Sequence, residues 1–261
     1  MQADGQDDGQ AAKETGKGRV PAVVRAVAVL DLIADMPKSL GVSDIARHLG
    51  LPKSSVHGIC ETLVGLGLLR FGPGGYGPGP RPLSWSAAFL RRSSLVSEFQ
   101  HLLAHDRRLS DFTVTLSTLD GASVVYLACH NADKPLGFIF HAGMQLPAVY
   151  TATGKAMLSA LPEAERRARI AGPWHPPFTA NSVRGPVEFE QDVQRWRTLG
   201  YAVDNGEIRE GMVCLGAPIL NDRGMPAAGI AVSMTSAEAR PEVRETLGAI
   251  IVEIARKLSG H

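Results

Sequence analysis

Val42-Ser43-Asp44-Ile45-Ala46-Arg47-His48-Leu49-Gly50-Leu51-Pro52-Lys53-Ser54-Ser55-Val56-His57-Gly58-Ile59-Cys60-Glu61-Thr62-Leu63 reads as two short helices joined by a tight turn. Ile45, Ala46 and Leu49 share one face of the first helix, and Ser43 is its candidate N-cap. Gly50 closes that helix, Leu51 follows in the turn, and Pro52 suits the first position of the next helix. Val56, Ile59, Cys60 and Leu63 give the second helix its buried face. This compact spacing is that of a helix-turn-helix, in which one helix braces and the other lies in the major groove.

Projection at about 100° per residue turns Ser54, His57, Gly58 and Glu61 outward, with Ser55 and Thr62 at the margin. Lys53, Ser54 and Ser55 sit at the helix start, where free N–H groups and the positive dipole end suit a phosphate. His57 is placed to meet base edges. Upstream, Val23, Val27, Leu30 and Ala34 form one stripe of a first helix that Pro37 ends, and Arg25 on it is a further candidate DNA contact. Downstream, Leu68–Phe71 reads as a strand and Gly72–Pro80 as a Gly/Pro-rich turn with a short return, together a wing. Arg70, Tyr76 and Arg81 on that wing are candidates for the flanking DNA backbone. A three-helix unit with a hairpin also serves as a protein-docking module, and the pattern alone leaves both readings open.

The chain has 261 residues and a formal net charge of +1, so charge does not announce nucleic acid. Residues 20–83 carry six Lys/Arg against four acids, a balance of only +2. Three scattered cysteines, Cys60, Cys129 and Cys214, argue against a disulfide framework or a structural zinc site. Residues 1–19 are polar and read as a disordered tail without an apolar signal core. No stretch approaches the roughly 18 apolar residues of a membrane helix, so a cytoplasmic protein is expected.

The organisation expected is a tail over 1–19, a winged helix-turn-helix over 20–83, a linking segment over 84–108 and a second domain over 109–261. The linking segment reads as one long helix or two, with Leu95, Phe99 and Leu102 on one stripe. In the second domain Phe112–Leu119 and Ser123–Cys129 flank Asp120-Gly121, a hairpin signal. Strands are expected at Phe138–Ala142, Tyr201–Asp204, Val213–Leu220 and Ala227–Thr235. Helices are expected at Thr151–Leu161, Val187–Leu199 and Glu242–Leu258. Neighbouring strands joined by short turns predict an α+β fold, a mostly antiparallel sheet with flanking helices.

Candidate chemistry is sparse. Gly154-Lys155 invites a P-loop reading that fails, because Val149 stands where a Gly is required and Ala156 where Ser or Thr is. The segment Thr151–Lys155 is either a helix start whose amides hold an anion or an ordinary helix start. His101 and His105 at i, i+4 lack an accompanying Glu and read as a solvated face. Asp204 and Glu207 are either paired carboxylates or part of a polar turn around Asn205-Gly206. No catalytic constellation, metal site or cofactor motif emerges.

Three runs, taken in order, resemble the IclR family of bacterial transcription regulators. They are Leu51-Pro52-Lys53-Ser54-Ser55-Val56-His57, then Leu146-Pro147 with Thr153-Gly154-Lys155-Ala156, then Gly200-Tyr201-Ala202-Val203-Asp204 through Glu207 and Gly211 to Cys214-Leu215-Gly216-Ala217-Pro218. The resemblance implies a winged helix-turn-helix joined to a GAF-like effector domain, assembled as a dimer or a dimer of dimers on a near-palindromic operator. It implies a regulator whose operator affinity answers to a small metabolite, often an organic or aromatic acid. The implied pocket residues are Ala152, Thr153, Gly154, Asp204, Cys214 and Ser233, with apolar walls near Leu136 and Phe138. Two departures stand out: Gly58 replaces the usual Arg after the recognition-helix His, and Ala231 replaces a Ser found in some members. The rival readings are a protein-interaction adaptor with a degenerate DNA-binding domain and, less favoured, a metabolite-converting enzyme.

Overall fold

The computed structural model describes residues 20–132 and 136–260, and the chain divides into two units between Arg91 and Arg92. The expected tail over 1–19 lies outside the described residues.

The first unit opens with α1 (Pro21–Asp35), whose buried face is Val29 and Ile33 with Ala26 and Leu30 beside them. The stripe expected from Val23 and Val27 is wrong, since both are exposed. Ala and Val occupy every side of this helix, so periodicity does not select the face. Next, α2 (Val42–Leu49) starts two residues earlier than expected: Gly41 is its N-cap, without a side-chain cap, and Ser43 lies inside the first turn. Gly50 follows at φ 62° and ψ 29°, a left-handed conformation that L side chains resist, and turns the chain toward α3 (Lys53–Gly65). Pro52 is the N-cap of α3 rather than its first residue.

A hairpin of β1 (Leu69–Gly72) and β2 (Gly75–Pro78) completes the wing. Leu40 and Tyr76 exchange backbone hydrogen bonds of 3.0 and 2.9 Å, which pins the hairpin against the segment before α2. Val29, Ile45, Val56, Cys60, Leu63 and Leu69 meet in one core. The helix α4 (Arg81–Arg91) closes this unit, and α5 (Ser94–His105) belongs to the second. The linking segment is therefore two helices, broken at Arg92-Ser93, where Ser93 Oγ accepts the N–H of Val96.

The second unit is a six-stranded antiparallel sheet in the order β5-β4-β3-β8-β7-β6. Its strands are β3 (Thr113–Asp120), β4 (Ser123–His130), β5 (Gln145–Pro147), β6 (Ala202–Asn205), β7 (Met212–Leu220) and β8 (Pro226–Thr235). The helices α6 (Ala152–Ala160), α7 (Glu163–Ile170), α8 (Pro186–Leu199) and α9 (Pro241–Lys257) complete it. Among the described residues no helix is long and apolar enough to cross a membrane.

Two expectations fail in this unit. Phe138–Ala142 is not a strand: the Asn131 amide donates to Phe140 O at 2.9 Å and accepts from Phe140 N at 3.3 Å, so one side chain satisfies the backbone that a ladder would have. The paired segment instead comes later, at β5. The helix α7 was not expected. Its charges pair along the helix, Glu163 with Arg167 at 2.8 Å and Glu165 with Arg169 at 3.1 Å, a pattern legible as i, i+4 support.

The register explains where α6 sits. Ala202, Gly216, Ala231 and Thr115 lie in one row across β6, β7, β8 and β3. Small side chains in this row let α6 approach the sheet closely. A Cβ on Gly216 would lie 2.4 Å from the Ala152 carbonyl carbon. The neighbouring row is Asp204, Cys214, Ser233 and Thr113, and it places polar groups beneath the start of that helix.

Candidate functional site

In the first unit the exposed face of α3 carries Lys53, Ser54, His57, Gly58 and Glu61, with Ser55 half-buried. No side chain caps its N-terminus. The N–H groups of the first turn have no intrahelical acceptor, so they remain donors beside the Lys53 ammonium. A Cβ on Gly58 would meet nothing within 4 Å, so that position opens onto solvent. Arg25 on α1 and Arg70 on β1 are exposed as well.

Two wing candidates need correction. Tyr76 is buried, and its hydroxyl donates to Glu61 Oε1 at 2.8 Å, so it braces the wing instead of facing outward. Burial and this hydrogen bond push its phenol up to about 12. Arg81 stays exposed but donates Nη1–H to Leu66 O at 2.9 Å and stacks over Trp85 at 5.7 Å. It therefore holds the end of α3 first, with its remaining donors free for another acceptor.

In the second unit a cavity of about 10 Å³, room for one water, lies beneath the start of α6. Five of the expected pocket residues line it: Ala152, Thr153, Asp204, Cys214 and Ser233. Gly154 does not. It presses on the chain instead, since a Cβ there would fall 2.2 Å from Ala148 O. Phe138 packs edge-on behind Phe140 at 4.9 Å, and Leu136 is half-buried away from the cavity. The apolar wall is instead Phe140 against Tyr126, at 5.2 Å, with Ile208 and Met212. Thr115, Thr151 and Ala231 complete the lining. Sequence reasoning had a signal for Thr115, which stands opposite Ala231 across β3 and β8, but only once the register is known.

The helix start is partly closed. Thr151 Oγ1 accepts the N–H of Gly154 at 3.1 Å, and Lys155 N bonds Thr151 O at 2.9 Å. Of the amides in the segment read as either an anion-holding or an ordinary helix start, only those of Ala152 and Thr153 are left without an intrahelical or capping acceptor. Thr153 Oγ1 accepts from Ser117 at 2.8 Å, and Ser233 Oγ donates to Cys214 Sγ at 3.1 Å.

Asp204 and Glu207 form one buried charge system with Lys155. The Lys155 ammonium donates to the Glu207 carboxylate and to Val203 O at 3.1 Å, and lies 5.4 Å over the Trp196 ring. Glu207 also accepts from Val183 N at 3.2 Å. Its own N–H donates to Asp204 Oδ1 at 2.7 Å. One cation thus faces two carboxyls. Burial pushes Asp204 up to about 7 despite the Lys155 charge, and it raises Glu207 and the Cys214 thiol as well. The lining thus brings hydroxyls, two amides and a carboxyl with a raised pKa together beside an aromatic wall.

Residues 87–260 match the family described as bacterial transcriptional regulator IclR C-terminal, and residues 22–73 match the IclR helix-turn-helix domain. The chain is 29% identical over 244 residues to the HTH-type transcriptional regulator BhcR of Paracoccus denitrificans, covering 93% of this chain and 87% of that one. It is 41% identical to the repressor BlcR of Agobacterium tumefaciens, whose crystal structure covers 92% of this chain and 96% of that one with a TM-score of 0.61. An IclR homolog from Microbacterium hydrocarbonoxydans, solved in complex with 4-hydroxybenzoate, shares the fold at 22% identity and a TM-score of 0.71, covering 91% of this chain and all of that one. The family and these relatives are transcriptional regulators, not enzymes. The chain belongs to the IclR family of bacterial transcriptional regulators, with that family's helix-turn-helix and C-terminal domains.

Proposed function

We propose that this regulator reads a near-palindromic operator as a homo-oligomer in the cytoplasm, and that a short aliphatic acid in the cavity beneath α6 sets its operator affinity. The observation that carries the effector class is the row Asp204, Cys214 and Ser233 under the Ala152 and Thr153 amides. The amides and the Ser233 hydroxyl suit a carboxylate, and a protonated Asp204 donates to it. The bound 4-hydroxybenzoate of the Microbacterium homolog supports an acid. At one water's volume the cavity must open beside Phe140 and Tyr126 for any acid, and a short chain asks for a smaller displacement than a ring.

Oligomerisation is supported by apolar side chains left exposed on the first unit: Val20 before α1, Val23, Val24 and Val27 on it, and Leu83, Trp85 and Phe89 on α4. A second copy is the natural occupant, because two symmetric recognition helices read two half-sites. Effector and DNA then act on one another through the arrangement each prefers.

Operator titration with and without a panel of short-chain acids tests the regulatory reading, and identical affinity throughout would count against it. Lys53→Ala weakens binding to every sequence and lowers the salt slope by about one. His57→Ala changes sequence preference; a uniform loss would reduce His57 to a phosphate contact. A double Val24→Glu, Val27→Glu variant sediments as a smaller species and loses operator binding.

A further inference from the structure

A second cavity, of about 160 Å³, lies in the effector unit and shares no lining residue with the first. Its walls are apolar: Pro147, Val149, Leu158, Ile170 and Trp174. Its volume is close to the roughly 150 Å³ at which a dry apolar cavity takes up a benzene ring. The aromatic side is held in place. Trp174 donates its indole N–H to Val183 O at 3.0 Å, and His175 stacks on Phe178 at 4.9 Å and 13°.

Its rim carries a guanidinium. Arg169 lines the cavity, and no Asp or Glu does. A single carboxylate oxygen, Glu165 Oε1, accepts from Arg169 Nη2 at 3.1 Å, a half-buried i, i+4 pair. Most of the five guanidinium donors are therefore open to another acceptor. An apolar slot of ring size with one arginine at its mouth selects a hydrophobic anion.

We propose that this cavity is a second small-molecule site, for an aromatic monocarboxylate whose ring sits among Leu158, Ile170 and Trp174 and whose carboxylate meets Arg169. Leu158 belongs to α6, the helix whose start lines the first cavity. A ligand here acts on the element that the effector contacts, which makes the two ligands thermodynamically coupled.

Benzoate is the probe, titrated calorimetrically into the full-length chain. Arg169→Gln weakens benzoate about tenfold or more, the loss expected for a charge-assisted hydrogen bond. Gly172→Leu provides a second variant: Gly172 lines the cavity, and a Cβ there meets nothing within 4 Å, so the fold tolerates it while the slot is narrowed. It should weaken benzoate with an unchanged melting temperature. A Thr153→Val, Ser233→Ala double variant, altered only at the first cavity, retains benzoate affinity. The proposal is overturned if benzoate does not bind, or if that double variant alone loses it, which would place the ring in the first cavity. It is overturned equally if Arg169→Gln leaves affinity unchanged. A change in sedimentation of Arg169→Gln without benzoate binding would make the slot a contact between copies and would also end it.

Discussion

The hydroxyl of Tyr76 on the wing donates to Oε1 of Glu61 on the recognition helix at 2.8 Å. The two residues lie on different elements of the reading head, so this bond sets the wing's angle to the helix that faces DNA. Tyr76→Phe keeps the ring in the core and its contact with Phe71 at 5.0 Å. It removes only the hydrogen bond and should lower stability by about 1 kcal/mol. Urea unfolding measures that loss. Operator affinity should fall modestly with unchanged sequence preference, since no base contact is removed.

Gly58 costs α3 helix propensity without filling a tight place. Gly58→Ala should stabilise the first unit by up to about 1 kcal/mol, because its Cβ enters open space. Gly58→Arg should do likewise and add a cation to the exposed face. Binding to arbitrary DNA should then tighten, with a steeper dependence on salt. Filter binding across a salt series checks this; an unchanged slope would show that position 58 stands clear of the phosphates.

The helix-turn-helix was legible because its signals are local: Gly50 at the turn, Pro52 before the helix, and apolar residues at helical spacing. The face of α1 was not, since Val23 and Val29 look alike in a helix apolar on every side. Nor does sequence tell which aromatic of the wing turns inward. Phe71 and Tyr76 are cross-strand partners, yet Phe71 is 68% exposed and Tyr76 3%. Five polar or small pocket residues were reachable through family resemblance, whereas Phe140 was not. Its placement depends on Asn131, nine residues earlier, gripping its backbone with a side chain.

Lys155 and Glu207 form a buried pair, at 3% and 9% side-chain exposure. Lys155→Met leaves Glu207 and Asp204 without their cation. Loss of one partner from such a pair costs about 3–5 kcal/mol. Lys155→Met combined with Glu207→Gln should recover much of that loss, because no uncompensated charge remains there. Thermal melts of the single and double variants make the comparison. Equal destabilisation by both would show that Lys155 acts through packing on Trp196.

Asp204 is raised from 3.8 to about 7, chiefly by burial. In the unfolded chain it ionises near its ordinary value, so between roughly pH 4 and 7 the folded state holds a proton that the unfolded state has lost. The sign follows: this group's stabilising contribution is full below the unfolded value and fades as pH rises through the folded one. The melting temperature should therefore drop as pH rises from about 5 to 8, and Asp204→Asn should flatten that part of the profile. The same site predicts ligand behaviour. A carboxylate bound beside Asp204 favours its protonated form, so binding above about pH 7 takes up a proton and affinity falls with further alkalinity. Calorimetry in buffers of different ionisation enthalpy reads that proton directly. Binding with no proton exchange at pH 8 would place the effector's charge away from Asp204.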